Sequence, residues 1–471
     1  MSPMVILSFI CCSNLVRCTC CLLPFLLYDI LAVGSLTAKQ QVPRTHNLPL
    51  TFEDGRTLVQ SGDCTVLLVE SMPENLTYWA GAPKHVSTHF AWSLLLDQAS
   101  HQLSIASFYW SLLADAAFNQ SDVSKGRAIF DALMNKSGEI NITIAQNGSQ
   151  VKNEELDALQ TKGARVFWID VSRLLGRGVL HTKLWIVDDS HAYVGSANMD
   201  WRSLTEVKEL GALILNCPAL VEDLKKIHAS YLLVSDKLPT KWPTELKTSH
   251  NRTNPMQITI NGMLSKVYFS ASPKEFNADG RTHDLDAILS AITEATKYIY
   301  ISVMDYSSEI VSYDWHTTGR YWPDIDEALR TAAIDRGVEV RLLISRWPHT
   351  SKSSLKYQSS LRALNGVQGS TIRIRYFVVP SFTPAQKMIP HARVNHNKYM
   401  VTDQVAYIGT SNWSGDYFLF TGGIGFVIRD ETKDNSTYEH LQDPETKSQT
   451  IRIQLTEIFL RDWNSEYSFE E

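Results

Sequence analysis

Cysteine all but disappears from this chain after residue 36. Five of the seven cysteines (Cys11, Cys12, Cys18, Cys20 and Cys21) sit in the leader, and only Cys64 and Cys217 follow. That leaves material for one disulfide at most, which would suit an oxidising compartment; two free buried thiols are the alternative. Basic charge is also scarce, with 44 Lys and Arg against 50 Asp and Glu and a formal net charge of −6. A broad cationic surface for gripping nucleic acid is therefore excluded, and any polyanionic substrate must be held by a local cluster of cations. Metal-ligand spacing is missing as well: no acidic residues recur at ligand intervals around the histidines discussed below, so no metal and no cofactor is expected.

Long apolar runs are confined to one place. Between Met4 and Leu36 the only charges are Arg17 and Asp29. The stretch from Cys18 to Ala38 is long enough to cross a bilayer. A cleaved signal peptide is the rival reading, because Ala32, Gly34 and Ala38 could form a cleavage site and Pro24 and Asp29 weaken a clean span; a buried helix is the third. Asn-x-Ser/Thr triplets at Asn75, Asn119, Asn135, Asn141, Asn147, Asn251 and Asn435 crowd the first half after this leader, which favours a glycosylated luminal domain. An eighth, at Asn412, falls inside a motif and is not expected to be modified.

The second half of the chain echoes the first. Ala99–Trp110 aligns with Ala295–Tyr306, Gly138–Ala145 with Gly337–Ile344, Val179–Asp188 with Val394–Asp403, and Tyr193–Asn198 with Tyr407–Asn412. Short apolar strands alternate with amphipathic helices such as Val221–Tyr231 and Ile325–Ala333. The expected fold is α/β: two similar α/β-sandwich halves with pseudo-two-fold symmetry and one active site at their interface. The expected division is a leader at 1–38, a stalk at 39–62, a first half at 63–245 and a second at 246–471, with Leu238–Pro255 as the crossover.

Each half carries His-x-Lys-x4-Asp followed by Gly-Ser/Thr-x-Asn: His181, Lys183, Asp188, Ser196 and Asn198, then His396, Lys398, Asp403, Ser411 and Asn412. Alternation puts His181 and Lys183 on one face of a strand. Two lysines and two asparagines would then neutralise the non-bridging oxygens of a phosphodiester. One neutral histidine attacks phosphorus and the other, protonated, releases the leaving oxygen, which requires an acid optimum. Glu209 lies 28 residues after His181, where it could orient that ring, and its counterpart is Gly423. On this ground His181 is expected to be the nucleophile and His396 the acid/base, with the exchange of roles as alternative. Asp188 and Asp403 are catalytic candidates as motif members, or else hold the strand ends. Trp185, Trp201, Tyr399 and Trp413 are expected in the core or cleft wall, though an exposed one could stack on a base.

At these motifs the sequence resembles the phospholipase D superfamily from about Cys64 to Tyr467. It is most similar to phospholipase D family members three and four, endolysosomal 5′ exonucleases, through LVES (Leu68–Ser71), ASFYWSL (Ala106–Leu112), GSANMDWRSLTEVKELG (Gly195–Gly211), RYWPDIDEALR (Arg320–Arg330) and IGTSNWSGDYF (Ile408–Phe418). The resemblance implies a metal-independent phosphodiesterase acting 5′-to-3′ on single-stranded DNA or RNA. It also implies a luminal domain that travels from the endoplasmic reticulum to the endolysosome, anchored through the N-terminal segment or released from it. Phospholipase or phosphatidyltransferase activity on lysosomal lipids, and a non-catalytic glycoprotein, are the competing expectations. Partners to expect are a nucleic acid or phospholipid substrate, the membrane, and a second copy of the chain in a homodimer. Cys64 and Cys217 fall where the relatives pair cysteines; a second family pair is replaced by Asn277 and Arg346.

Overall fold

The apolar runs become strands of two sheets in the computed structural model, which describes residues 50–51, 57–58, 64–115, 118, 122–310, 319–430 and 450–471. The leader, Asn119 and Asn435 lie outside those residues. So does the expected stalk, apart from the paired strands Leu50–Thr51 and Thr57–Leu58.

In the first half the strands are β1 (Thr65–Ser71), β2 (Val86–Ser87), β3 (Gln102–Ser107), β4 (Asn141–Asn147), β5 (Arg165–Ile169), β6 (Leu184–Val187), β7 (His191–Gly195) and β8 (Glu209–Leu215). Helices α1 (Thr88–Gln98), α2 (Ser124–Lys136), α3 (Glu154–Thr161) and α4 (Pro218–Val234) accompany them. The second half supplies β9 (Met256–Ile260), β10 (Met263–Ser272), β11 (Tyr298–Val303), β12 (Glu339–Ser345), β13 (Ile372–Phe377), β14 (Lys398–Thr402), β15 (Ala406–Gly409), β16 (Gly423–Asp430) and β17 (Ser468–Phe469). Its helices include α5 (Asp284–Glu294), α6 (Asp324–Ile334), α7 (Lys352–Arg362), α8 (Gly415–Leu419) and α9 (Ile451–Trp463).

The repeat read in the sequence is a repeat of topology. The first sheet runs β2-β1-β8-β7-β6-β3-β4-β5, the second β9-β10-β16-β15-β14-β11-β12-β13-β17. The run β1-β8-β7-β6-β3-β4-β5 is therefore matched strand for strand by β10-β16-β15-β14-β11-β12-β13. In each, the last three strands are parallel, joined through helices, and the others antiparallel. Parallel neighbours need such crossovers, whereas the antiparallel motif strands turn back within a few residues.

Pleating decides which side chains meet which layer. On β6, Leu184 and Ile186 enter a cluster that also takes Val194, Phe269, Ile408 and Phe426, so it draws on both halves. Trp185 and Val187, pointing the other way, join Trp92, Ile129 and Leu133 from α1 and α2. The second half does the same with Tyr407 against α5 and α6. Helices α4 and α9 feed the shared cluster, and α9 lies against β1 of the opposite half. A buried ionic group closes this contact: Arg461 Nη2 meets Glu70 Oε1 at 2.6 Å and Lys208 Nζ meets Asp462 Oδ2 at 2.8 Å. Removing one member would strand its buried partner charge. Cys64, before β1, is bonded to Cys217, after β8, which staples the ends of two neighbouring strands.

Candidate active site

The two halves exchange backbone hydrogen bonds at their motifs. His181 N–H donates to Gly422 O (2.8 Å), and Gly422 N–H to Val179 O (2.8 Å). Symmetrically, His396 N–H donates to Lys208 O (2.7 Å), and Lys208 N–H to Val394 O (2.9 Å). The first motif is therefore an extended lead-in to β6, with His181, Thr182 and Lys183 ahead of its first residue, rather than part of the strand as expected; in the second, β14 opens at Lys398. Gly178 makes the crossing possible: it has φ +93°, and a Cβ there would run into Phe420 O.

This lacing brings both histidines to one place. Their ring centroids are 6.5 Å apart with planes at 69°. Both are nearly buried, at 5% and 8% exposure, close enough for one phosphorus to lie between them. Lys183 Nζ donates to His181 O (2.5 Å) and Lys398 Nζ to His396 O (2.8 Å), the same arrangement twice. Phe108 and Tyr417 wall the His181 ring at 5.0 and 5.2 Å between centroids.

The carboxylate is not where the sequence put it. Glu209 Oε2 lies 2.8 Å from His396 Nδ1, so it orients the histidine of the other half and not His181. The backbone exchange explains the correction. Because Lys208 pairs with the His396 segment, residue 209 faces His396, and Gly422 makes the matching pairing with the His181 segment. A side chain at 423 would require Ser411 to shift, since its Cβ would fall on Ser411 Oγ. His181 Nδ1 instead faces the Thr410 carbonyl at 2.9 Å. That oxygen can only accept, so Nδ1 carries the proton and Nε2 is left bare; the 2.9 Å approach of Lys183 Nζ to the same nitrogen is then a charge contact, not a donated bond. Ser203 Oγ donates to Glu209 Oε1 (2.9 Å).

Burial sets the protonation states. It pushes the His396 ring down to about 4, Glu209 opposing and Lys398 adding to the effect. Burial, then Lys183, Lys398 and His396, hold His181 well below its ordinary range. Lys398 is lowered by burial to about 7, and Lys183 well below the lysine range by burial and by Lys398. For Glu209 burial acts upward, but His396 and Lys398 outweigh it and keep it ionised. At rest, therefore, both imidazoles are neutral and Glu209 is ionised beside Lys398.

Several expected site residues lie elsewhere or do other work. Asp188 accepts from the backbone N–H of His101 and Gln102 (2.9 Å each) and from Ser100 Oγ (2.8 Å), at the far end of β6. Asp403 does the same for Thr296 and Lys297 at the far end of β14. Each stands ~16 Å along the chain from its motif lysine, at ~3.3 Å per residue, so both are strand-end anchors and leave the catalytic set. Asp188→Ala should accordingly destabilise by about 1–3 kcal/mol in chemical denaturation while leaving kcat within about twofold; a large kcat loss with unchanged stability would return it to the site. Ser196 Oγ is occupied, donating to Leu210 O (3.1 Å) and accepting from Leu210 N–H (2.9 Å), so it pegs β7 to β8 and is not free to bind substrate. Asn198, Ser411 and Asn412 are at the site, and Asn198 Oδ1, Asn412 Oδ1 and Ser411 Oγ are buried without partners.

Residues the motifs did not flag are also present. Asn198 Nδ2 faces Tyr109 Oη at 3.5 Å, and Asn412 Nδ2 faces Asp305 Oδ2 and Tyr417 Oη at 3.2 Å each. Tyr109 and Asp305 occupy matching positions of the repeat, which is the signal that could have found them. Trp185, Trp201, Tyr399 and Trp413 are all buried, so none is a platform for bases.

Two copies of one motif, converging across a two-fold repeat, describe a superfamily; the sequence comparisons decide the family. The PLD3/4, PLD-like domain profile matches residues 80–382. The chain belongs to this family. It is 45% identical over 413 residues to a 5′-3′ exonuclease PLD3 of Xenopus laevis, covering 86% of this chain and 80% of that one. To the mouse 5′-3′ exonuclease PLD4 it is 40% identical over 421 residues, covering 87% and 80%. A solved phosphatidylserine synthase of Haemophilus influenzae shares the fold, with a TM-score of 0.50, 13% identity, and coverage of 81% of this chain and 85% of that one. In this PLD3/4-family chain the sequons are placed unequally. Asn75, Asn135 and Asn141 are exposed, whereas Asn147 is half-buried with Oδ1 accepting from Leu180 N–H (2.7 Å), and Asn251 Nδ2 donates to Gly280 O (3.1 Å). Asn412 is buried, in keeping with an unmodified triplet.

Proposed function

We propose that this chain is a 5′-to-3′ exonuclease on single-stranded DNA or RNA, working through a phosphohistidine on His396 in the endolysosomal lumen. The observation that carries the reading is the pair of imidazoles 6.5 Å apart with a carboxylate behind only one of them. With Nδ1–H donated to Glu209, His396 keeps a lone pair on Nε2 for attack on phosphorus. The phosphorus–oxygen ester bond breaks as the phosphorus–nitrogen bond forms, and the positive charge gained by the ring is offset by Glu209. His181 must then give the proton to the departing oxygen. Its resting ring is neutral, so the proton is taken up when the phosphodiester anion binds, an uptake favoured in acid. Water next attacks the phosphohistidine, its proton passing to His181 as the phosphorus–nitrogen bond breaks, and the proton taken up on binding leaves with the product to restore the resting enzyme. The roles first assigned to the two histidines are thus exchanged, by the same argument applied to the observed carboxylate.

The nucleic acid substrate is supported by the exonuclease relatives, and the luminal setting by the Cys64–Cys217 disulfide and the exposed Asn75, Asn135 and Asn141. The purified protein should shorten a single-stranded oligonucleotide with a free 5′ hydroxyl at pH 5. Its kcat/KM should fall by pH 8, once Lys398, titrating near 7, loses the charge that holds the phosphate. Intact oligonucleotide, with headgroup exchange on a glycerophospholipid in the presence of alcohol, would reassign the site to lipid.

A further inference from the structure

Besides Glu209 and Gly423, the two halves differ at a further matched pair of positions beside the phosphate site. Where the first half has Tyr109 next to Asn198, the second has Asp305 next to Asn412. Asn412 Nδ2 has two hydrogens, and two acceptors surround it at 3.2 Å, Asp305 Oδ2 and Tyr417 Oη. Its N–H groups are spent, while its Oδ1 is buried and unpartnered. An amide in this state offers a phosphate oxygen nothing, and an ionised carboxylate beside it repels the anion as well. In the first half, by contrast, the 3.5 Å contact to Tyr109 leaves one N–H of Asn198 uncommitted.

We infer that Asp305 is a positioning residue that gates phosphate binding through Asn412: ionised, it holds the amide nitrogen, and protonated, it releases it. A protonated Asp305 can donate to an amide oxygen. Rotation of the Asn412 amide by a half-turn then gives Oδ1 a donor in Asp305 and frees both N–H groups for a phosphate oxygen. The same proton removes the negative charge. No bond is made or broken; one proton is taken from solvent.

The surroundings place this switch in the acid range. Burial pushes the Asp305 carboxyl up to about 6, Lys398 on β14 opposing and Asp416 on α8 adding to the rise. Among the described residues those two are the charged groups acting on it, and the Tyr417 hydroxyl is a further titratable neighbour of Asn412; the peptide contact from Trp413 N–H to Asp305 O (2.9 Å) is neutral. Ionising a carboxyl whose folded value is raised costs stability as pH rises through 6, so the folded protein itself favours the protonated form in acid. The inference rests on the phosphodiester reading and names how that site is regulated.

The test is the pH profile of kcat/KM for wild type, Asp305→Asn and Asp305→Glu on a single-stranded oligonucleotide between pH 4.5 and 8. Wild-type cleavage at pH 5 checks the underlying reading by itself. Asp305→Asn mimics the protonated carboxyl, so its ratio to wild type should be near one at pH 5 and rise to on the order of tenfold at pH 7.5, carried by KM. Asp305→Glu should keep a pH-dependent profile like the wild type's. Two outcomes overturn the inference: a ratio that is flat with pH, which assigns Asp305 a purely structural part, and a ratio that falls below one as pH rises. The second would mean that Asp305 serves chiefly to keep Lys398 charged.

Discussion

His396→Asn is expected to lose on the order of 10⁴-fold or more in turnover on every phosphodiester, because it removes the atom that bonds phosphorus. His181→Asn should behave differently. It should be as inactive on an oligonucleotide, whose departing alkoxide needs a proton. With a p-nitrophenyl ester of a nucleotide, however, the departing oxygen is stable unprotonated, so a burst of p-nitrophenol should survive in His181→Asn and be absent in His396→Asn. Sequence spacing alone favours the opposite pattern, since Glu209 follows His181 by 28 residues. The geometry overrules it, because Glu209 Oε2 is 2.8 Å from His396 Nδ1. A burst in His396→Asn and none in His181→Asn would return the nucleophile's part to His181.

Glu209→Gln is the second substitution with a large expected effect, a loss of about 10³-fold in kcat. A carboxylate that accepts from Nδ1–H does two things: it fixes which nitrogen is bare, and it offsets the charge on the phosphorylated ring. Glutamine fills the same volume, but it can present its amide nitrogen to Nδ1 and stabilise the wrong tautomer. Glu209 is fully buried beside Ser203 and near Lys398, so KM should change far less than kcat. The fold should survive, since glutamine keeps the volume and an oxygen that accepts from Ser203 Oγ. A kcat within tenfold of wild type, at unchanged circular dichroism and melting temperature, would show that Glu209 is dispensable to the reaction.

Much of this architecture was legible in the chain. The strand runs, their order and the doubling of the motif follow from period-two burial and from internal similarity, and both survive any change in loop length. The pairing of Cys64 with Cys217 was legible from scarcity. What sequence could not supply was the crossing between halves. Position 209 looks local to His181 in one dimension, and only the exchange of backbone bonds at Lys208 and Gly422 shows that each half equips the other's histidine. The motif aspartates misled for a related reason. Five residues is a short interval in sequence but the length of a strand in space, so Asp188 and Asp403 end up on N–H groups at the start of the neighbouring strands, at Gln102 and just ahead of Tyr298. Ser196 was read as a ligand by its place in the motif, while its hydroxyl is consumed by Leu210. Asp305 carried no motif at all; only the repeat, aligning it with Tyr109, distinguishes it.

The most direct test is to catch the covalent intermediate. Rapid mixing with a phosphorus-labelled single-stranded oligonucleotide, an alkaline quench to preserve phosphohistidine, and peptide mapping would locate the label. Phosphohistidine chemistry with His396 as nucleophile requires it on the peptide containing His396, and none when His181→Asn blocks departure of the alkoxide. Label on the His181 peptide, or complete cleavage with no labelled protein at any time point, would contradict it.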